Sequence, residues 1–439
     1  MATTPLRQPF DWPQPELSSG LAWRRVFAWS VISVAGLTLF AMLLHSFYLA
    51  DDSAHSYAHV WYLSHQLFDH HHWPWHVSNL ENGKAVMFPY GIVPWLPDAL
   101  MRPLLGDWGV TFSMVLGTAG MVAAAALLCP ALRRPEFLAL FLVNPLLWNG
   151  VTQFQLATVW SFGLVFLGVW LFASHRSVLA TGAYALGIAA HPMMGLLALA
   201  SVCGYEWYAT RAFPIRHAVV GAVAVVIAAP TIYLFLSTPT ISDSSRWLVV
   251  TSTLDNLRRL SIVAAALALS AYAPMFRRRY AWFAGAGAVG TAALLAFLPP
   301  SGLWEWSTPQ FQDYLAAHPV PPDAASYRVL TKNNYEDGMV EFLQAGAVLS
   351  SEFFSESIHR QSFSGADRYA CFLATRHVGH VVLAGDYIRS YHTNEPRLLD
   401  ELAGMGMAQR EFSGSDGTLA YRVDVPRSLA RGSARACGV

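Results

Sequence analysis

The sequence predicts an α-helical polytopic membrane bundle of about nine transmembrane helices, followed by a small C-terminal extracytoplasmic α/β domain. Three observations predict it. Hydrophobic residues make up 54% of the 439-residue chain and charged residues only 13%, with a mean hydropathy of +0.35, a balance far from that of ordinary soluble domains. The apolar residues fall in long runs separated by short basic connectors. From about residue 325 onward the runs shorten and polar residues interleave.

A span needs roughly 20 mostly apolar residues. Nine stretches come close, near 26–49, 110–130, 136–150, 154–173, 177–190, 192–209, 218–237, 258–274 and 280–298. The first follows a short cytoplasmic segment, 1–25, and its length argues for a retained span rather than a cleaved signal. Lys and Arg collect on the cytoplasmic side of short loops. With the N-terminus inside, Arg24, Arg25, Arg133, Arg134, Arg176, Arg211, Arg216 and the run Arg277–Arg279 all fall there. The long first outer loop, 50–109, and everything after Pro300 then share the extracytoplasmic side of the inner (plasma) membrane.

The tail divides into a Pro-rich linker, 300–324, and a soluble α/β domain, 325–439. Short β-rich runs ("YRVL", "AVLSS", "HVVLA", "LAYRVDV") alternate there with helical patterns ("DGMVEFLQAG", "ADRYACFLATR", "PRLLDELAGMG"). No phosphate loop, zinc spacing or nucleophile elbow is present in it. Cys371 and Cys437 fall in this domain, and an oxidising compartment would let them pair, although their spacing carries no motif. The 28 basic and 28 acidic residues balance, so the basic surface of a nucleic-acid binder is missing. Few ionisable residues lie inside the spans, which disfavours a transporter.

The first outer loop holds the candidate chemistry. Asp51 and Asp52 stand where the first span ends, and ionisable groups at a membrane cavity are functional candidates. After them the spacing is helical: Tyr57, Val60, Trp61, Ser64, Leu67 and Phe68 form a mostly apolar stripe, and His55, His59, Tyr62, Gln66 and Asp69 a polar one. Such a helix is expected to lie flat in the membrane interface. His55 shares a helical face with both aspartates, and a carboxylate held by an imidazole can act as a general base on a hydroxyl. Seven histidines lie between Tyr48 and His76. His70, His71 and His72 are consecutive and cannot all grip one ion, so hydrogen-bonding histidines outweigh a structural metal site. The stretch from His70 to Pro97 is rich in Pro and Gly and reads as loop with short helical turns.

Three stretches resemble the GT-C superfamily of integral-membrane glycosyltransferases: "HHHWPWHVSNLENGKAVMFPYG" behind the acidic pair, "LFLVNPLLWNGVTQFQLATVWSF", and "ALGIAAHPMMGLLAL" with its basic residue before proline. The resemblance covers roughly residues 20–240. It implies an inverting transfer of a sugar from a polyprenyl-phosphate donor to a glycan, lipid or protein acceptor on the outer face. Asp51 or Asp52 would be the base, oriented by His55, and His191, Arg246 and Gln153 would hold the donor phosphate. The acids and histidines could hold Mg2+ or Mn2+ beside that phosphate. The alternative is a non-catalytic GT-C-like membrane scaffold whose C-terminal domain binds a partner.

Overall fold

The computed structural model describes residues 52–88, 91–106, 108–133, 156–237, 309–321, 325–330, 336–350, 363–431 and a few isolated positions, Cys437 among them. The described part is mostly helical, with thirteen α-helices and one four-stranded sheet beside a two-stranded ribbon. It divides into two compact units. Residues 88–237 form the helical unit; residues 52–87 join the C-terminal residues, from 309 on, in the other.

In order, the second unit begins with α1 (Asp52–Phe68) and the ribbon β1 (His76–Val77) and β2 (Ala85–Val86). The helical unit follows with α2 (Trp95–Leu105), α3 (Trp108–Leu128), α4 (Leu156–Ala173), α5 (Ser177–Ala190), α6 (Pro192–Thr210), α7 (Ile215–Ile227) and α8 (Ala229–Ser237). The chain then returns to the second unit with α9 (Pro309–Ala317), β3 (Ser326–Leu330), α10 (Glu336–Gln344), α11 (Ala366–Thr375), β4 (Val378–Leu383), α12 (Gly385–Tyr391), α13 (Glu395–Gly404), β5 (Ala408–Ser413) and β6 (Leu419–Val423).

In the helical unit α4 packs against α3 on one side and α5 on the other. Small residues let the backbones close up, as in membrane bundles: a Cβ added at Gly163 would sit 3.0 Å from Met121 Cα, and one at Gly168 would enter the Tyr184 ring. Five expected spans correspond to helices here, α3 through α6 and the pair α7 and α8. Of these, α4 alone is both straight and long and apolar enough to cross a membrane, while α7 and α8 reach that length together, bent by 61°. Pro230 lies in the first turn of α8, where it removes the N–H that would have continued the ladder. Val115–Leu128 and Ser177–Ala190 are apolar but shorter. The expected spans at 26–49, 258–274 and 280–298, and all but a few positions of 136–150, lie outside the described residues.

The second unit is a three-layer α/β sandwich. Its sheet runs β3-β4-β6-β5, with β3 and β4 parallel and the other neighbours antiparallel. Every residue of β3 is buried, as both-sided coverage requires. On one face Tyr369, Phe372 and Leu373 of α11 and Leu398, Leu399 and Leu402 of α13 pack on Val381, Leu383, Tyr421 and Val423. On the other, Phe342 of α10 meets Tyr327 and Phe311, each at 5.5 Å between ring centroids. Within the first core, Arg328 donates from Nε and Nη2 to the two carboxylate oxygens of Glu395 at 3.1 and 3.2 Å. Tyr369 and Tyr387 donate to the same carboxylate at 2.7 and 3.0 Å. Cys371 and Cys437 are joined in a disulfide across a sequence separation of 66, a loop whose closure is worth about 4 kcal/mol by the chain-entropy model.

Four features differ from the sequence expectations. Helix α9 occupies the stretch read as linker. The region around "WPWHVSNLENGKAV" is a hairpin rather than loop alone, closed by a turn in which Asn82 (φ +54) and Gly83 (φ +80) adopt left-handed backbone, as such residues readily do. The first outer loop is divided, residues up to 87 folding with the tail domain. Helix α1 packs on α10, and His59 and Tyr62 of its polar stripe are buried, so no single solvent face remains to suit a helix lying flat in an interface.

Candidate functional site

The acidic pair marks the start of α1. Asp52 is its first residue and His55 stands in its first turn, where the helix N-terminus favours a carboxylate. The side chains of Asp52 and His55, and Asp51, Gln153 and Arg246 entirely, lie outside the described residues.

Further along α1 the side chains are engaged with one another. Tyr62 Oη sits 2.9 Å from Ser78 Oγ and accepts the Ser78 N–H at 3.1 Å, tying the helix to the hairpin. The hairpin is itself anchored in the tail domain: Asn82 N–H donates to the Leu349 carbonyl at 3.0 Å, Leu349 N–H donates to the Asn79 carbonyl at 2.8 Å, and Asn82 Nδ2 donates to the Arg376 carbonyl at 2.8 Å. At the exposed end His65 Nδ1 lies 2.5 Å from Asp69 Oδ2 and His65 Nε2 lies 3.2 Å from His70 Nε2, with Trp61 stacked on the His65 ring. These histidines are spent on hydrogen bonds. Among the described residues no three His, Cys, Asp or Glu side chains converge to hold a metal ion.

The helical unit brings two motif stretches together. Proline disfavours helical backbone in the residue before it, so α5 stops at Ala190 and His191 turns extended (φ −152°, ψ 98°) to cap α6, with Pro192 in its first turn. The His191 ring is buried, and its Nδ1 accepts the Met194 N–H at 3.4 Å. With Nδ1 accepting there, Nε2 is the ring nitrogen that carries the proton. Against this break lies Gly91, which ends the "FPYG" motif: a Cβ placed there would fall 1.6 Å from the Ala189 carbonyl oxygen and 3.2 Å from that of Ala190. Only a glycine lets the loop backbone reach the helix end this closely.

Two buried polar groups escaped the sequence reading. Asp98, on α2, is fully buried, and neither carboxylate oxygen has a hydrogen-bond partner of good geometry among the described residues. Burial raises its pKa well above the ordinary 3.8, and its polar neighbour Ser113 lowers it by less; the Ser113 hydroxyl donates to the Pro94 carbonyl at 3.4 Å. The second is a chain across three helices. Tyr184 Oη donates to His217 Nε2 at 2.6 Å, and His217 Nδ1 donates to Glu206 Oε2 at 2.8 Å. The signal for both was a polar residue in an apolar run, where burial demands a partner or a shifted protonation state.

Asp98 makes stability depend on pH with a definite sign. Its folded pKa exceeds the unfolded one, so between the two the folded state holds a proton that the unfolded chain has released. Stability is therefore full below about pH 4, the ordinary carboxylate range, and falls as pH rises toward the folded pKa. In detergent micelles, the fall in Tm of the wild type between pH 5 and pH 8 is expected to exceed that of Asp98→Asn, which keeps the shape and carries no charge. Equal falls would refute it.

Comparison of the chain with protein-family models, with curated proteins and with solved structures returned no match.

Proposed function

We propose that the chain is an integral-membrane glycosyltransferase of the GT-C kind, nine-spanning, with its N-terminus cytoplasmic and its tail domain extracytoplasmic. It moves a sugar from a polyprenyl-phosphate donor to a glycan, lipid or protein acceptor with inversion. The observation that carries this reading is the seating of Gly91, from the "FPYG" stretch, against the helix break that presents His191. Two stretches about one hundred residues apart in the chain, each singled out by the family resemblance, thus lie against one another. Two further observations support it. Residues 52–87 and the tail domain fold as one unit, so both must lie on the same side of any membrane. That unit contains a disulfide, a bond that persists in oxidising, extracytoplasmic compartments.

In the reaction Asp51 or Asp52, with His55 orienting it, takes the proton of an acceptor hydroxyl. The hydroxyl oxygen attacks the anomeric carbon while the bond from that carbon to the phosphate oxygen breaks, and the polyprenyl phosphate leaves with the electron pair. His191 Nε2 donates to the phosphate, and Arg246 and Gln153 complete its cradle; charge-assisted donors of this kind are worth most where water is excluded.

The test is sugar transfer from a labelled polyprenyl-phosphate donor by membranes carrying the protein. Replacing the true base, by Asp51→Asn or Asp52→Asn, is expected to cost a hundredfold or more, as removal of a general base typically does. Full activity in both variants would end the base assignment. Absence of transfer by the wild type across polyprenyl-phosphate sugars would favour the scaffold alternative. A chelator arm in the same assay reports whether Mg2+ or Mn2+ takes part.

A further inference from the structure

The end of the helical unit that carries Arg176, Arg211 and Arg216 has its own chemistry, unconnected with the donor site. The ring of Phe172, at the end of α4, stacks on that of His217, at the start of α7, with centroids 4.2 Å apart. That contact sets the turn between α4 and α5 beside the turn between α6 and α7. All three arginines are exposed in or next to these turns. The only carboxylate between Leu171 and Tyr233 is Glu206, and it is committed to His217. The Glu206–His217–Tyr184 chain thus links α5, α6 and α7 and commits the one carboxylate that this stretch of sequence holds.

Exposed aromatic side chains lie at the α6–α7 turn: Tyr205, Trp207, Tyr208 and Phe213, each more than half exposed. The Arg211 guanidinium lies 4.6 Å from the Tyr208 ring centroid, a cation–π contact that orients it outward from the helix end. Beyond Arg216 every exposed side chain of α7 is aliphatic, and Val219, Val223 and Val226 form one stripe along it. The exposed surface thus runs from the aliphatic stripe of α7 to turns that carry the aromatic and cationic side chains together, with Val178, Leu179 and Ile215 exposed beside the arginines. That is the profile of one lipid leaflet, with acyl chains, an interfacial zone favoured by Trp and Tyr, and a phosphate layer. The cations beside the apolar stripe favour a lipid leaflet, whose phosphates would meet them, over a second apolar protein face.

We infer that the paired turns at 174–176 and 211–216 form a binding surface for anionic phospholipid headgroups, with Arg176, Arg211 and Arg216 as its cations. The inference rests on the membrane reading above. It locates the side of the bundle that faces an anionic leaflet.

The full chain in detergent is titrated with phosphatidylglycerol and, separately, with phosphatidylcholine of the same acyl chains, and binding is read by native mass spectrometry and by thermal shift. The wild type is expected to bind phosphatidylglycerol at least tenfold more tightly. Arg176→Gln, Arg211→Gln and Arg216→Gln together should weaken phosphatidylglycerol on the order of a hundredfold, since each basic residue near an anionic surface is worth about fivefold and three such factors multiply, and should leave phosphatidylcholine unchanged. Equal binding of the two lipids by the wild type overturns the inference, and so does an unaltered preference in the triple variant. Inorganic phosphate that stabilises the wild type as well as phosphatidylglycerol does would overturn it too. If the triple variant fails to fold, the comparison of the two lipids on the wild type decides. Release of the protein from membranes by alkaline carbonate would instead refute the membrane reading itself, a separate result.

Discussion

Replacing Glu395 by Ala is expected to destabilise the tail domain by about 3–5 kcal/mol, the range for breaking one side of a buried ion pair. The carboxylate is wholly buried and accepts from Arg328 through two nitrogens and from the hydroxyls of Tyr369 and Tyr387. Removing it takes the carboxylate from a buried guanidinium and the acceptor from a buried and a half-buried phenol at once, and losing one side of a buried pair costs far more than the pair ever contributed. The same carboxylate, after burial itself, pushes the Tyr369 and Tyr387 hydroxyls above their ordinary pKa, so both phenols remain donors at any physiological pH. Replacing both charged partners, Arg328→Met with Glu395→Leu, should recover part of the loss, because it leaves no charge to be solvated. Thermal unfolding followed by exposure of the domain to protease measures both. A single variant as stable as wild type, or a double variant worse than the single, would refute the account.

Gly91→Ala is expected to cost about 3 kcal/mol or more and to abolish sugar transfer with it. The added methyl would have to occupy the space of the Ala189 carbonyl oxygen, at 1.6 Å, on backbone with φ of +140° that side chains rarely adopt. Neither the helix end nor the loop can yield without separating "FPYG" from the break at His191. Gly106 provides the contrast. It too has positive φ, +58°, but nothing lies within 4 Å of its Cβ position, so Gly106→Ala should lose only about 1 kcal/mol from backbone conformation. Comparing the two Tm shifts separates steric displacement from loss of conformational freedom, and similar shifts would sink the close-approach argument.

The sequence made the helical elements readable wherever hydropathy and punctuation agreed. The run expected at 177–190 is α5 to the residue, because Arg176 and Pro192 bracket it. In the tail domain "YRVL", "HVVLA" and "LAYRVDV" were legible as strands because each is short and rich in β-branched and aromatic residues, continuous in the buried β4 and broken in β6 by the exposed Arg422. "AVLSS" supplies only an isolated bridge, between Leu349 and Tyr327. Strand β5, "AQREFS", was not legible, since at a sheet edge exposed polar residues outnumber apolar ones and the period is lost. Helix α9 was hidden by the prolines that follow it. At the site, the break before Pro192 could be read from local rules. The seating of Gly91 and the burial of Asp98 could not, because both depend on which segment arrives from elsewhere in the chain.

The bond from Asn82 to the Arg376 carbonyl joins positions 294 residues apart, and this bears on how the protein is made. Synthesis delivers α1 and its hairpin early, whereas α10, the helix that covers α1, and the carbonyls that receive the hairpin emerge only after the helical unit has been made. Until then the early segment holds apolar surface with nothing to bury it against, the circumstance in which nascent chains aggregate or recruit chaperones. Maturation of the unit that joins residues 52–87 to the tail is therefore bound to the last stage of translation.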